Sequence, residues 1–391
     1  MARPLAKRRA STGHSAATLE CGPYHSWTLA NARRSVSMRL APISSGQVAD
    51  ICPVNAPSNM FCFIPRKCGI SRTVFPTTTR IGIIGAGNVA ARHADVLSGF
   101  SDVTIVGIAD TDPRRSGALA ERHGCPAYGS HTDLLDAGGL DAVYICVPPF
   151  AHGNPERDVL SCNLPFFVEK PLSLDLSTAE KIATEIDRRG LPSAVGHHWR
   201  YLDIVDQARE VLANRPVRLA LGHWLDKVPP VGWWLKPEMS GGQLVEQAVH
   251  VLDLARVLVG EVTMVHAVPA ENATDGEVDR ATAAVLRFAG GAAGMLAATS
   301  LLARKHRAGL EVHAEGVSLD LSEDRLLVDG ETTVQDGGAA KVRVDRTFID
   351  AVQGKEADVR VPYREALKTH RLALALARSA AEGRPVSTPD V

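Results

Sequence analysis

The feature that most constrains this 391-residue chain is Gly85-Ala86-Gly87-Asn88-Val89-Ala90, a G-x-G-x-x-A turn between the apolar run Arg80 to Ile84 and a helix-patterned stretch ending near Leu97. Gly85 permits a tight turn, Gly87 lets a pyrophosphate approach the backbone, and Ala90 keeps the helix close to a sheet, while the helix N-terminus faces the anion. The next apolar run, Val103 to Ala109, leads into Asp110, at the roughly 20-residue offset where an acidic side chain binds the adenosine ribose hydroxyls. That carboxylate would repel a 2′-phosphate by about 1 to 4 kcal/mol, which favours NAD over NADP. Arg114 and Arg115 pull the other way, because either can swing over and pair with a phosphate.

From Arg80 onward, buried strand-like runs alternate with amphipathic helix patterns in the rhythm of βαβ units. Arg80 to Ile84, Val103 to Ala109, Ala142 to Val147, Phe166 to Val168 and Ser193 to Gly196 read as parallel strands, apolar because both faces are covered. One intervening helix is well punctuated: Thr111 or Asp112 caps it, Pro113 suits its first position, and Gly124 closes it.

Val147-Pro148-Pro149, His152 and Glu169-Lys170-Pro171 fall at the C-terminal ends of the fourth and fifth strands, the edge that holds ligands in such sheets. Lys170 leaves a buried strand for the crevice, where it either exchanges a proton with a ribose or substrate hydroxyl or is a solvated lysine. The Lys170-Pro171 bond is a candidate for the cis form. Further on, Gly241 to Asp253 reads as a glycine-started helix with Glu246, His250 and Asp253 at i, i+4 and i+7 on one face, among apolar neighbours. A carboxylate one turn from an imidazole is a proton-relay arrangement, with Glu246 orienting His250; a satisfied core histidine is the plainer reading. His197 and His198 are adjacent at a strand end and are expected to point to opposite faces, so no metal site is expected.

A length of 391 residues favours two folded units. The composition, 45% hydrophobic and 22% charged with a net charge of -1, is that of a globular protein without a nucleic-acid or acidic-lipid partner, and no run is long enough to span a membrane. Seven cysteines without C-x-x-C pairs make neither a disulfide nor a zinc framework, and Cys125, Cys146 and Cys162 read as small buried thiols, consistent with a reducing cytoplasm. Residues 1–79 are rich in Arg, Ser, Ala and Pro and lack sustained periodicity. They read as a disordered extension, a weak transit peptide or a start assigned too far upstream, and carry no chemistry.

The segments IGIIGAGNVAARHADVL, VPPFAH, VEKPLSLD, GHHWRY and GGQLVEQAVHVLDLARVLVG, with the closing FIDAV and SAAEGRPV, occur in an order and spacing that resemble the glucose-fructose oxidoreductase, inositol dehydrogenase and rhizopine-catabolism (Gfo/Idh/MocA) family. The resemblance implies an α/β fold: a Rossmann NAD-binding domain with a doubly wound parallel sheet over 80–198, then an α+β domain over 199–391. The second domain would carry a large, mostly antiparallel sheet whose open face forms homodimer or homotetramer contacts. It makes Lys170, His250 and Glu246 the catalytic group. Gly85, Gly87, Asn88, Val89, Ala90, Asp110, Val147, Pro148, His152, Glu169, Lys170 and Arg200 would bind cofactor. Glu246 stands where the family more often has Asp, and Arg200 resembles an arginine that closes over the active site.

The expected reaction is hydride transfer between the nicotinamide and a secondary alcohol or ketone of a sugar, aminosugar or cyclitol, with His250 or Lys170 taking the hydroxyl proton. Trp199, Tyr201, Trp224, Trp233 and Trp234 either present rings to such a substrate, Trp199 and Trp234 foremost, or pack the core. Two other readings keep the fold: an NAD-binding sensor or corepressor without turnover, and a glycosidase-like enzyme that oxidises its substrate transiently.

Overall fold

A computed structural model describes residues 78–271, 276–334 and 337–390. Most of the expected 1–79 extension, residues 1–77, lies outside the described residues.

Six strands, β1 (Thr79–Ile84), β2 (Val103–Ala109), β3 (Ala127–Tyr128), β4 (Ala142–Ile145), β5 (Phe166–Val168) and β6 (Ser193–Val195), pair in parallel in the order 3-2-1-4-5-6. This is the doubly wound dinucleotide-binding order. All five expected strands are present, and β3 is an added edge strand of two residues, too short to leave a period in the sequence. Helices α1 (Asn88–Ser98), α2 (Pro113–His123), α3 (His131–Ala137), α4 (Asn154–Ser161) and α5 (Leu176–Arg189) connect the strands and cover the sheet. Of the two candidate caps for α2 it is Asp112 that accepts from the Arg114 amide, and Gly124 ends the helix in the left-handed region at φ 65°.

The chain then forms α6 (Asp203–Leu212), β7 (Val217–Leu225), α7 (Pro237–Ser240), α8 (Gln243–Glu246) and α9 (Val249–Leu258). Strands β8 (Val262–Pro269), β9 (Ala281–Phe288), β10 (Ala293–Thr299), β11 (Arg307–Ala314), β12 (Val317–Ser322), β13 (Arg325–Val328) and β14 (Glu331–Val334) follow, and α10 (Gly337–Val352), α11 (Tyr363–Glu382) and β15 (Val386–Ser387) complete the chain. The second sheet has nine strands in the order 14-13-12-11-7-10-9-8-15, with β7 and β10 parallel and every other pair antiparallel. Helix α9 lies on β7 and β11 so closely that a Cβ added at Gly222 would sit 2.8 Å from Val251 Cγ1. Helix α11 covers β8 and packs on α9 and α5. The other face stays open, because alternate residues of β9 and β10 point outward, among them Val285 and Met295.

Helix α10 returns to the first sheet. Phe348 meets Tyr144 edge-on at 5.5 Å and Phe167 at 5.9 Å, and Arg346 pairs with Asp102 at 2.7 Å. The cofactor-type sheet is therefore finished by residues from the far end of the chain.

One expected element is broken. Instead of a continuous helix from Gly241 to Asp253, α8 ends at Glu246, Gln247 takes φ −111° and ψ −54°, and α9 begins at Val249. A distant side chain takes the acceptor: Lys170 Nζ donates to the Glu246 carbonyl at 2.5 Å, the group that the His250 amide would use in an uninterrupted helix. That amide turns to the Gln247 carbonyl at 3.3 Å. Among the described cysteines, Cys162 is exposed rather than buried, while Cys125 and Cys146 are partly covered. No described helix is long and apolar enough to cross a membrane.

Candidate active site

The turn after β1 is an anion cradle. Gly85 holds φ 93°, and a Cβ there would run into the Cys146 carbonyl, so the turn closes against the Val147-Pro148 segment after β4 only with glycine. Gly87 caps α1 without a side chain, a Cβ there would meet nothing within 4 Å, and Asn88 and Val89 are exposed. The first amide groups of α1 thus face open space without an intrahelical partner, an arrangement that fits a pyrophosphate. Asp110 braces the cradle: Oδ2 accepts from the Ala86 amide at 2.7 Å and Oδ1 from the Asp112 amide at 2.8 Å. Carboxylate oxygens keep further lone pairs, and these suit ribose hydroxyls. Arg114 bonds Asp112 and is almost fully exposed; Arg115 lies 3.8 Å from the same carboxylate.

Lys170 leaves β5 through a cis peptide bond to Pro171. Its ammonium donates to Glu246 Oε1 at 2.8 Å as well as to the carbonyl, and Glu246 Oε2 accepts from Trp234 Nε1 at 3.0 Å. Trp234 has no exposed surface. It therefore holds the carboxylate from behind, the packing alternative of the two the sequence offers.

His250 is buried in a box of rings. Trp199 and Trp224 lie nearly parallel to it at 5.7 and 5.8 Å, and His197 and His198 meet it edge-on at 5.9 and 5.4 Å. The two histidines do not point to opposite faces as expected: the chain leaves the strand at Val195 and turns into a 3-10 segment, His198–Tyr201, which swings both rings toward α9. Trp199 is 2% exposed, so it is a wall of this box rather than a substrate platform. His250 Nδ1 has no hydrogen-bond partner, and the expected Glu246 bond is replaced by the Lys170 and Trp234 bonds. Burial, reinforced by the charges of Lys170, His198, His197 and Lys305, pushes the His250 pKa well below the ordinary imidazole value. Burial thus keeps the ring neutral, with Nδ1 unpartnered.

Three other expected contacts lie elsewhere. Arg200 pairs with Asp253 through two bonds of 2.7 and 2.6 Å and with Glu365 at 3.2 Å, buried under α9 and α11. Thr369 adds a bond to Asp253, so both Arg200 and the third member of the predicted polar stripe brace the fold. His152 has a wholly buried side chain whose Nδ1 bonds Glu156 at 2.6 Å. Glu169 is buried too, bonded to His93 at 2.9 Å and Arg92 at 3.1 Å, and a Cβ on Gly196 would sit 2.5 Å from its carboxylate. Desolvation alone would raise the Glu169 pKa, but His93, Arg92 and Lys170 hold it at about 2.

The sequence reading missed Glu323 and Lys305 at the open side of the ring box. Glu323 bonds His198 at 3.2 Å and Lys341 at 2.9 Å, and Lys305 Nζ sits 5.0 Å from the Trp224 ring centre. Neither carries a local motif. His93 was missed as well, although it shares the buried stripe of α1 with Ala90, Ala94 and Leu97, a spacing the sequence does show. Among the described residues no cluster of His, Cys, Asp or Glu has the geometry to hold a metal ion.

Parallel strand order, open glycine cradle and paired lysine define a dinucleotide-dependent oxidoreductase, and comparison with known proteins agrees. Residues 79–197 match the oxidoreductase family with an NAD-binding Rossmann fold, and residues 214–320 match the GFO/IDH/MocA C-terminal domain; the chain belongs to the Gfo/Idh/MocA family. It is 25% identical to the inositol 2-dehydrogenase of Rhizobium meliloti over 335 residues, covering 79% of this chain and 99% of that protein. It is 29% identical to the myo-inositol 2-dehydrogenase of Thermotoga maritima over 229 residues, 56% of this chain and 67% of that protein. Levoglucosan dehydrogenase in complex with NADH and levoglucosan shares the fold with a TM-score of 0.73 at 20% identity, covering 80% of this chain and all of that one.

Proposed function

We propose that this chain is an NAD-dependent dehydrogenase that moves a hydride between the nicotinamide and a secondary alcohol or ketone of a sugar, aminosugar or cyclitol. The observation that carries the reading is the Lys170–Glu246–Trp234 chain beside a buried neutral His250, set at the end of β5 next to an open dinucleotide cradle. Relatives named as inositol dehydrogenases support the substrate class. When bound, NAD supplies the hydride acceptor. An ammonium has three donors, and Lys170 spends two on Glu246, which leaves one for a substrate oxygen. Trp234 fixes the Glu246 carboxylate, so the ammonium is aimed before substrate arrives. His250 accepts the hydroxyl proton as the alcohol carbon is oxidised, and in the reverse direction returns it. Its rings exclude water and keep the imidazole neutral.

NAD is preferred to NADP in this reading, because an acidic side chain at the end of β2 would repel a 2′-phosphate. Residues 80–198 serve as the cofactor domain and 199–391 as the substrate and assembly domain. The open sheet face, with Val268, Val285 and Met295 each roughly half exposed, supports a homodimer or homotetramer. Three free cysteines among the described residues agree with a reducing, cytoplasmic setting.

The test is absorbance of reduced nicotinamide when the full chain meets NAD, and separately NADP, with a panel of cyclitols, hexoses and aminosugars. Substrate-dependent reduction, slowed but still measurable in Lys170→Ala while cofactor still binds, is expected. Cofactor binding with no turnover across the panel would replace this reading with a sensor; cofactor reduced and reoxidised within one turnover would point to glycosidase-like chemistry.

A further inference from the structure

We propose that His93, clamped between Asp345 and Glu169, is a positioning residue for Lys170, fixing the Glu169-Lys170-Pro171 turn through Glu169 and tying that turn to α10. His93 Nδ1 lies 2.8 and 2.9 Å from the two Asp345 oxygens, and Nε2 lies 2.9 Å from Glu169 Oε1. Both ring nitrogens face carboxylates, and donating to both takes an imidazolium; Arg92, 3.1 Å from Nε2, then spends its hydrogen on Glu169 Oε1 rather than on the ring. Burial works against that charge, but Asp345 and Glu169 outweigh it and raise His93 to about 9. Asp345 and the His93 side chain are each about 1% exposed.

The clamp reaches the lysine by a short path. Glu169 Oε2 accepts from the Lys170 amide at 3.3 Å, and Arg92 donates to Oε1 at 3.1 Å. Gly196 closes the far side of the carboxylate, since any side chain there would occupy its space. Tyr144 at 5.3 Å and Phe167 at 4.9 Å wall the imidazole. Glu169 is thus held on every side by protein, and the next residue along the chain is the one whose ammonium meets Glu246. The charged and titratable groups around His93 are Arg92 on α1, Tyr144 and Cys146 at β4, Glu169 after β5, and Asp345 on α10. The two carboxylates that clamp the ring, Glu169 after β5 and Asp345 on α10, bond no residue of the Gly85–Ala90 turn, so the clamp acts on the lysine and leaves cofactor affinity alone.

Its catalytic meaning rests on the role proposed above for Lys170, so the test has one arm that needs no turnover. In nitrogen-15 spectra of the full-length free protein, both His93 ring nitrogens are expected to carry hydrogen at neutral pH, and His93→Gln is expected to shift or broaden the Lys170 ammonium signal. Arg346→Gln, which removes another tie between α10 and the first sheet, serves as the structural control and is expected to leave that signal in place. A neutral His93, or a Lys170 signal indifferent to His93→Gln, overturns the proposal whatever the substrate is. In the second arm, with NAD and myo-inositol, His93→Gln is expected to lower kcat by about 10- to 100-fold, the scale of a displacement of about 1 Å at a reacting group. NADH affinity stays unchanged, and there is no further loss when Lys170→Ala is already present. If NADH affinity falls in step with turnover, Glu169 touches the nucleotide directly and the proposal fails; if the two substitutions multiply, His93 acts independently of Lys170 and it also fails.

Discussion

Gly196→Ala and Gly87→Ala add the same methyl group and are expected to fail in opposite ways. A Cβ on Gly196 lies 2.5 Å from Cδ, Oε1 and Oε2 of Glu169 together, where favourable contact begins at about 3.5 Å. The carboxylate must withdraw by about 1 Å to relieve this, yet His93 and Arg92 hold it at 2.9 and 3.1 Å. The backbone offers no easier escape, because the Gly196 amide donates to the Val168 carbonyl at 3.0 Å alongside the β5–β6 pairing. Separating a buried carboxylate from its partners costs about 3–5 kcal/mol. At about 2 °C per kcal/mol for a large chain, the melting temperature falls by about 6–10 °C. At Gly87 nothing lies within 4 Å of the added carbon, and φ −81°, ψ −176° suits alanine. Stability then stays within about 0.5 kcal/mol of the parent, but the methyl blocks the approach of a pyrophosphate, and NADH affinity drops at least about tenfold, or 1.4 kcal/mol. Calorimetry of the two variants and NADH fluorescence titration separate the effects. A Gly196→Ala protein that melts with the parent, or a Gly87→Ala protein that binds NADH as tightly, refutes the reasoning.

Asp110→Ser removes the charge expected to repel a 2′-phosphate, and the NADPH-to-NADH affinity ratio should rise by at least about fivefold, the lower end of that repulsion; an unchanged ratio means Asp110 does not face the ribose. Trp234→Phe deletes the bond to Glu246 and should lower unfolding free energy by about 1.5–3 kcal/mol, as for hydrogen bonds to charged groups, read from urea denaturation; a parent-like midpoint would show the bond to be idle. Stability should also fall in alkali. His93 titrates at about 9 in the fold against 6.5 for the ordinary ring. A raised pKa contributes fully below about pH 6.5 and is lost as pH climbs through about 9, some 3 kcal/mol in all. Urea midpoints at about pH 6, 8 and 10 follow that loss, and a flat profile contradicts an imidazolium at this position.

The first sheet was legible because its strands are buried on both faces and so stand out as unbroken apolar runs, Ile81 to Ile84 and Ala142 to Ile145 among them. The cradle was legible because its glycines answer to local geometry. The break after Glu246 was not, because the group that diverts its carbonyl, Lys170, lies 76 residues upstream. Residue type alone left Trp234, Trp199 and Arg200 open between ligand and core; in the structure all three are buried, Trp234 bonded to Glu246 and Arg200 to Asp253. His93 sat on a readable stripe, yet its partner Asp345 is 252 residues away, and no spacing rule spans that distance.

Strand β7 gives the molecule an unusual separability. Ala220, Gly222 and Trp224 alternate along it, with Gly222 beneath Val251 of α9 and Trp224 against His250, so one strand walls the reaction chamber. Leu219 and Leu221 fall between them and, partly exposed, look toward the other side of the sheet, where His223 follows the same alternation but is buried. Substitutions at the odd-numbered positions of this strand therefore alter the open sheet face while leaving the even-numbered positions beneath α9 as they are. A single-residue insertion would exchange the two sets, sending the open-face residues under α9 and the residues that pack on α9 out to the open face.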